Sequence, residues 1–301
     1  MAPNALESWD GRDVEALLQL EPTSQWQFRT RRASPNARGT VFGGQLLANA
    51  LTAASMTVPS DRRASALQFM FLQSASPDRP LHLEVSPLQD GKRFVSRHVR
   101  GWQESDESSQ RRMVLDAQAT FALSLPGPAH EKPSRGSRVD PSRMPRLADL
   151  SRESADAIWR TLGYPLESTA LDLRVADPEQ GLGLNAPSAA IRFWLRTRDP
   201  LPDVNAVHAA AFAYLSDWWL NFASVAIHVP ELDCDQARLH VASLNHAIWF
   251  HRPLRADEWL HFDVQSPSAG EGRGLSIATV HDVGGALVAS ATQENLMTLM
   301  P

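Results

Sequence analysis

A single cysteine, Cys234, stands in 301 residues. That excludes an internal disulfide and any cysteine-built zinc cluster. Long apolar runs are missing too: none approaches the ~20 residues that span a bilayer. The N-terminus lacks a charged-then-apolar leader pattern, and Leu299, Met300 and Pro301 do not form a peroxisomal address. There is no excess of basic charge. At a net charge of -5 the chain has no general means of neutralising nucleic-acid phosphates. Several catalytic signatures are also absent. There is no Gly-x-Ser-x-Gly elbow and no Walker loop, and His130–Glu131 lacks the second histidine of a zinc-protease helix. These absences define an expectation: a soluble cytoplasmic protein with no metal, cofactor, nucleic-acid or membrane partner.

The length suits about two domains. Asp13 starts a short amphipathic helix through Val14, Leu17 and Leu18, and Trp26 and Phe28 read as a first strand. Gly43 and Gly44 open a longer helix, with Leu46, Leu47, Ala50, Leu51 and Ala54 on one face and Pro59 beyond its end. Alternating apolar residues then predict about four antiparallel strands up to Leu125, an α+β unit whose sheet wraps the helix. From 126 to 178 Pro, Ser, Arg and Asp dominate, which predicts an interdomain connection over the surface. Gly181 to Ala186 formally fits a dinucleotide fingerprint. Pro187 and Ser188 follow where a helix should start, so a loop is expected. A second helix is predicted near 208–226, followed by strands through Leu239–Ala242, Leu260–Val264, Leu275–Val280 and Leu287–Gln293. The second half repeats the first. Phe71 precedes Val85 by the interval that separates Phe250 from Val264, and both segments contain Arg-Pro.

The most unusual stretch runs from His240 to Trp259. A strand needs an apolar residue at every second position and little else, and this one carries far more polar chemistry. Ser243, Leu244, Asn245, His246, Ala247, Ile248, Trp249, Phe250, His251, Arg252 and Pro253 resemble the signature of the acyl-CoA thioesterase II family. Further matches are Val41 to Gln45, Tyr214 to Asp217, and Thr292 to Glu294, in the family's order and across most of the chain. The resemblance implies a double hot-dog fold: two helix-in-sheet units, 1–125 and 179–301, joined by 126–178, with the catalytic residues in the second. It implies hydrolysis of an acyl-CoA to free acid and CoA, a place in fatty-acid metabolism, and self-association.

Thioester hydrolysis needs a positioned water, a group to take its proton, and donors for the developing oxyanion. Asp217, inside an apolar helical run beside Trp218 and Trp219, reads equally as a solvated or capping carboxylate and as a functional one. Ser243 alone reads as a strand serine bonded to backbone, and an isolated Gln293 as surface. The resemblance makes these three the catalytic set, with the N-terminus of the helix carrying Asp217, or a nearby backbone N–H, polarising the carbonyl. Gly43 and Gly44 read equally as part of the acyl or CoA path and as packing glycines. His251 and Arg252 are expected to brace the start of a strand. The sequence departs from the family at Asn245, where Asp is usual, and at Gln68, Gln73 and His98. Two rival readings stay open: a hot-dog hydratase or dehydratase, and an acyl-CoA-binding protein without catalysis.

Overall fold

The computed structural model describes residues 6–104, 110–134, 140–163, 167–177, 182, 189–234 and 236–300. The glycine-rich run at Gly181–Ala186 lies outside these, Leu182 apart. The first half contains α1 (Val14–Leu18), β1 (Leu20–Ser24), β2 (Gln27–Thr30), α2 (Gly43–Ser55), β3 (Arg63–Phe71), β4 (His82–Asp90), β5 (Phe94–Glu104) and β6 (Arg111–Ala122). After it come α3 (Arg152–Leu162), β7 (Leu171–Arg174), β8 (Ala190–Thr197), α4 (Asn205–Ser216), α5 (Phe222–Val225), α6 (Val229–Cys234), β9 (Leu239–Phe250), β10 (Leu260–Gly270), β11 (Arg273–His281) and β12 (Leu287–Leu299).

Sequence dictates the two central helices directly. α2 is a run of Leu and Ala with one β-branched residue, Thr52, and Gly44 to Leu51 are all buried. In α4, His208 to Ser216 are all buried. A helix apolar on every side must be enclosed, and one sheet encloses both. It has 12 strands in the order β1-β2-β4-β5-β6-β3-β9-β12-β11-β10-β8-β7, and every pairing is antiparallel. Inward from its two edges the order is β1-β2-β4-β5-β6-β3 on one side and β7-β8-β10-β11-β12-β9 on the other. The two halves therefore share one topology, and β3 and β9 join them at the centre. This is the double hot-dog fold.

The repeat extends to a defect in the ladder. In β3, Ala64 faces Phe121 and Ala66 faces Thr120, so Ser65 is an extra residue. In β9, Ser243 faces Asn295 and Asn245 faces Glu294, so Leu244 is the extra residue. A bulge of this kind turns the side chains on either side of it. In β9 it lets Ser243 and His246, three positions apart, both face the helix.

Two expectations need correction. The predicted helix over 208–226 stops at Ser216, and Asp217 is its C-cap rather than an interior residue. The cause is Trp219, whose φ of 66° lies in the left-handed region that no helix accommodates. Its ring is held edge-on to Phe222 at 4.4 Å. The stretch after Leu125 also does more than run over the surface. Leu147, Leu150, Ile158 and Leu171 are buried, β7 pairs with β8 as the last strand of the sheet, and α3 is tied to α6 by paired Arg160–Asp233 bonds of 2.7 and 2.9 Å. Among the described residues no helix is long and apolar enough to cross a membrane.

Candidate active site

α2 and α4 meet where the chain can come closest, at the two glycines. A Cβ on Gly44 would lie 2.4 Å from the Tyr214 carbonyl oxygen of α4. Beside this crossing opens a cavity of about 880 Å³, walled by both halves: Phe42, Gly43 and Phe71 from the first, Tyr214, Asp217 and Ser243 from the second.

The three residues expected from sequence come together here: Asp217 and Ser243 line the cavity, and Gln293, fully buried, lies behind them. Gln293 Nε2 donates to Asp217 Oδ1 at 2.6 Å and to Ser243 Oγ at 2.7 Å. The Ser243 hydroxyl donates in turn to Asp217 Oδ1 at 3.4 Å. Gln293 lies in the middle of β12, not at its end as the apolar pattern suggested. Asp217 is 9% exposed. Burial pushes its carboxyl up to about 7, against hydrogen bonds from Gln293, Ser243 and the Gly44 backbone that hold it down.

The Gly44 bond settles which helix end faces the carboxylate. Asp217 sits at the C-terminal end of its own helix, α4. The positive N-terminal end near it belongs to α2, from the other half. Of the two expectations for polarising the carbonyl, the N-terminus of the helix carrying Asp217 is excluded by geometry. Gly43 lines the cavity, and Gly44 is buried behind it.

The pseudo-equivalent place in the first half carries none of this chemistry. Ala64 stands for Ser243, Ala119 for Gln293, and Leu67 for His246, as the matched registers show. Met56, the C-cap of α2, stands at the position of Asp217. Among the described residues the polar cluster therefore occurs in the second half and not at the matching place in the first.

Other candidates separate cleanly. His251 bonds Ser290 Oγ at 2.9 Å, and Arg252 pairs with Glu131, so both brace the chain after β9. Arg97 is buried and bound to Asp90 and Thr57. Asn245 donates to Glu294 Oε2 at 2.9 Å. An aspartate there would place two carboxylates side by side, so Asn is the residue its neighbour favours. Gln73 lines the cavity, whereas His98 pairs with Asp116 at 2.8 Å. Sequence reading missed Ser216 and His246, whose contact inside the core, Ser216 Oγ to His246 Nε2 at 3.0 Å, has no local signal.

The doubled topology limits the class. Two helix-in-sheet units on one antiparallel sheet, with a carboxylate-centred cavity where they meet, make a double hot-dog enzyme of thioester type. The chain belongs to the acyl-CoA thioesterase family: the family's N-terminal domain matches residues 31–122 and its C-terminal domain residues 141–297. It is similar to mouse acyl-coenzyme A thioesterase 8, at 26% identity over 96% of this chain and 89% of the other. Acyl-CoA thioesterase 2 of Haemophilus influenzae is 27% identical over 93% of this chain and 95% of its own. Among solved structures, acyl-CoA thioesterase II from Mycobacterium marinum superposes with a TM-score of 0.76 at 30% identity, covering 95% of this chain and 98% of that one.

Proposed function

We propose that the protein hydrolyses an acyl-CoA thioester to free acid and CoA with a water that Asp217 deprotonates. The observation that carries this reading is the contact set of Gln293 with Asp217 and Ser243, at 2.6 and 2.7 Å, directly behind the two residues that line the cavity. A carboxyl raised to about 7 suits a general base at neutral pH. In this reading Asp217 takes one proton of the water. The Ser243 hydroxyl and Gln293 amide fix the water's lone pair toward the thioester carbon. Gln293 Oε1, buried and without a protein donor, accepts the second O–H. Backbone N–H groups at the start of α2, Gly43 foremost, meet the carbonyl oxygen as it gains charge. The tetrahedral adduct then collapses, the C–S bond breaks, and the thiolate takes the proton from Asp217.

The reading extends to a cytoplasmic enzyme of fatty-acid metabolism that acts as a homo-oligomer. Met70, Trp249 and Ile277, exposed on β3, β9 and β11, support self-association by offering apolar area to a second copy.

Thiol release from a panel of acyl-CoAs, short to long, tests the activity without added metal or nucleotide. Release from at least one member is the expected result. Binding without release across the panel supports the binding-protein reading, and hydration of an enoyl-CoA supports the hydratase. Within the site, Ser243→Ala should lower kcat less than loss of the base, because Asp217 survives. Ser243→Thr should be tolerated, since the hydroxyl remains. Gln293→Ala should fall between Ser243→Ala and Asp217→Asn. KM should change little in each, if these contacts act mainly in the transition state. Equal kcat for Ser243→Ala and wild type would remove the hydroxyl from the mechanism.

A further inference from the structure

The two halves of the chain are an internal control for one another, and His246 fails that control. It follows the bulge of β9 and faces Gln293 across the ladder. At the matching place after the bulge of β3, Leu67 faces Ala119 and is fully buried. The fold therefore accepts leucine at this position. His246 is 1% exposed, and its Nδ1 has no hydrogen-bond partner. Burial lowers its pKa to about 3, so the ring is neutral at any working pH. A buried imidazole with one nitrogen unsatisfied is a worse packing residue than leucine. Stability alone does not account for it.

What it touches does. Ser216 Oγ donates to the Ala213 carbonyl at 2.9 Å, which leaves its lone pair to accept from His246 Nε2–H at 3.0 Å. Ser216 is fully buried and immediately precedes Asp217. After Asp217 the chain turns through the left-handed Trp219. The carboxylate thus projects from a one-turn corner held on both sides, and the hold on the helix side comes from the strand that also carries Ser243.

We propose that His246 is a positioning residue for the catalytic carboxylate, acting through Ser216 to fix the end of α4 so that Asp217 stays within reach of Gln293 and Ser243. This rests on the reading of Asp217 as the base. A shift of about 1 Å at a reacting group lowers rate by about 10²-fold, so a loose corner is enough to matter.

The test measures kcat, KM and the pH dependence of kcat/KM for His246→Leu, His246→Gln, Ser216→Ala and the His246→Leu/Ser216→Ala pair. His246→Leu should fold, by the precedent of Leu67. Its kcat should fall about 10- to 10²-fold with KM nearly unchanged. The acid limb of its profile should move to higher pH, because a carboxylate that slips from Gln293 and Ser243 loses bonds that lower its pKa. His246→Gln, which keeps a side-chain N–H donor, should recover most of the rate. Ser216→Ala should lose as much as His246→Leu, and the pair no more than either alone. Full kcat in His246→Leu with an active wild type overturns this inference and leaves the hydrolytic reading standing. Additive losses in the pair overturn the route through Ser216. A wild type that releases no thiol from any acyl-CoA overturns both. Should His246→Leu misfold, Ser216→Ala and His246→Gln carry the same comparison.

Discussion

Asp217→Asn should reduce kcat by about 10²–10⁴-fold, the contribution of a positioned general base. Asparagine keeps the shape, and its oxygen can still accept from Gln293 Nε2, which is 2.6 Å from Asp217 Oδ1. What it loses is the ability to take a proton. In the wild type, kcat/KM should rise with pH through an apparent pKa of about 7 and level off, because the ionised carboxylate is the active form. The variant's residual activity should lack that step. Near-normal turnover in Asp217→Asn would end the proposal that Asp217 is the base.

The same substitution should act on stability in the opposite sense. The folded-state pKa, about 7, lies above the ordinary aspartate value of 3.8 because burial disfavours the charge. A raised pKa gives stability that is full below the unfolded value and is lost as pH rises through the folded one. Over some three units the loss is about 4 kcal/mol as an upper bound. Asp217→Asn removes it. The variant and wild type should melt together near pH 4, and the variant should melt higher near pH 8.5. Equal melting temperatures at both pH values would show that the folded carboxyl titrates in the ordinary range. An ionised buried carboxylate of this kind is a strained group retained for its chemistry.

How much of this was legible beforehand depended on whether the signal was local. The helix beginning at Gly43 announces itself through Leu46, Leu47, Ala50 and Leu51, all of which are buried. The repeat is legible in the equal spacing of Phe71–Val85 and Phe250–Val264, and it became the matching strand order of the two halves. The meeting of Asp217, Ser243 and Gln293 came from a family resemblance. Periodicity carries no information about which strand of β9 to β12 faces which helix end. The break at Asp217 was missed because Trp218, Trp219 and Leu220 continue an apolar helical pattern. A left-handed tryptophan is rare enough that no propensity predicts it. The bulge at Leu244 was invisible for a related reason. Its effect is to turn Ser243 and His246 to one face, against the two-residue alternation by which strands are read. The surface reading of 126–178 failed on composition. Its polar residues outnumber Leu147, Leu150 and Ile158, yet those few bury their side chains in the common core.

The adjacent glycines should separate stability from catalysis when each is replaced by alanine. At Gly44 a Cβ would lie 2.4 Å from the backbone oxygen of Tyr214 and 2.4 Å from the Phe42 ring. A ring can turn, but a helix carbonyl cannot, so α2 and α4 would have to part. Alanine gains about 1 kcal/mol in helix propensity over glycine, while forced overpacking costs about 1–3 kcal/mol and occasionally more. The crossing lies in the middle of the core, with Leu47 and Ala213 fully buried on either helix, so little slack exists to absorb the shift. Gly44→Ala should therefore lower the unfolding midpoint in urea, and activity should fall in what remains folded. At Gly43 the obstacles are side chains: a Cβ would meet Asp217 Oδ2 at 2.5 Å and the Phe71 ring at 3.0 Å. Both can give way. Gly43→Ala should fold with a near-normal midpoint, yet it must push the carboxylate off the position that Gln293 and Ser243 define. Its kcat should drop about 10²-fold, the penalty for a displacement of about 1 Å at a reacting group. If Gly43→Ala were as active as wild type, the space between α2 and Asp217 would not be where the reaction is set up.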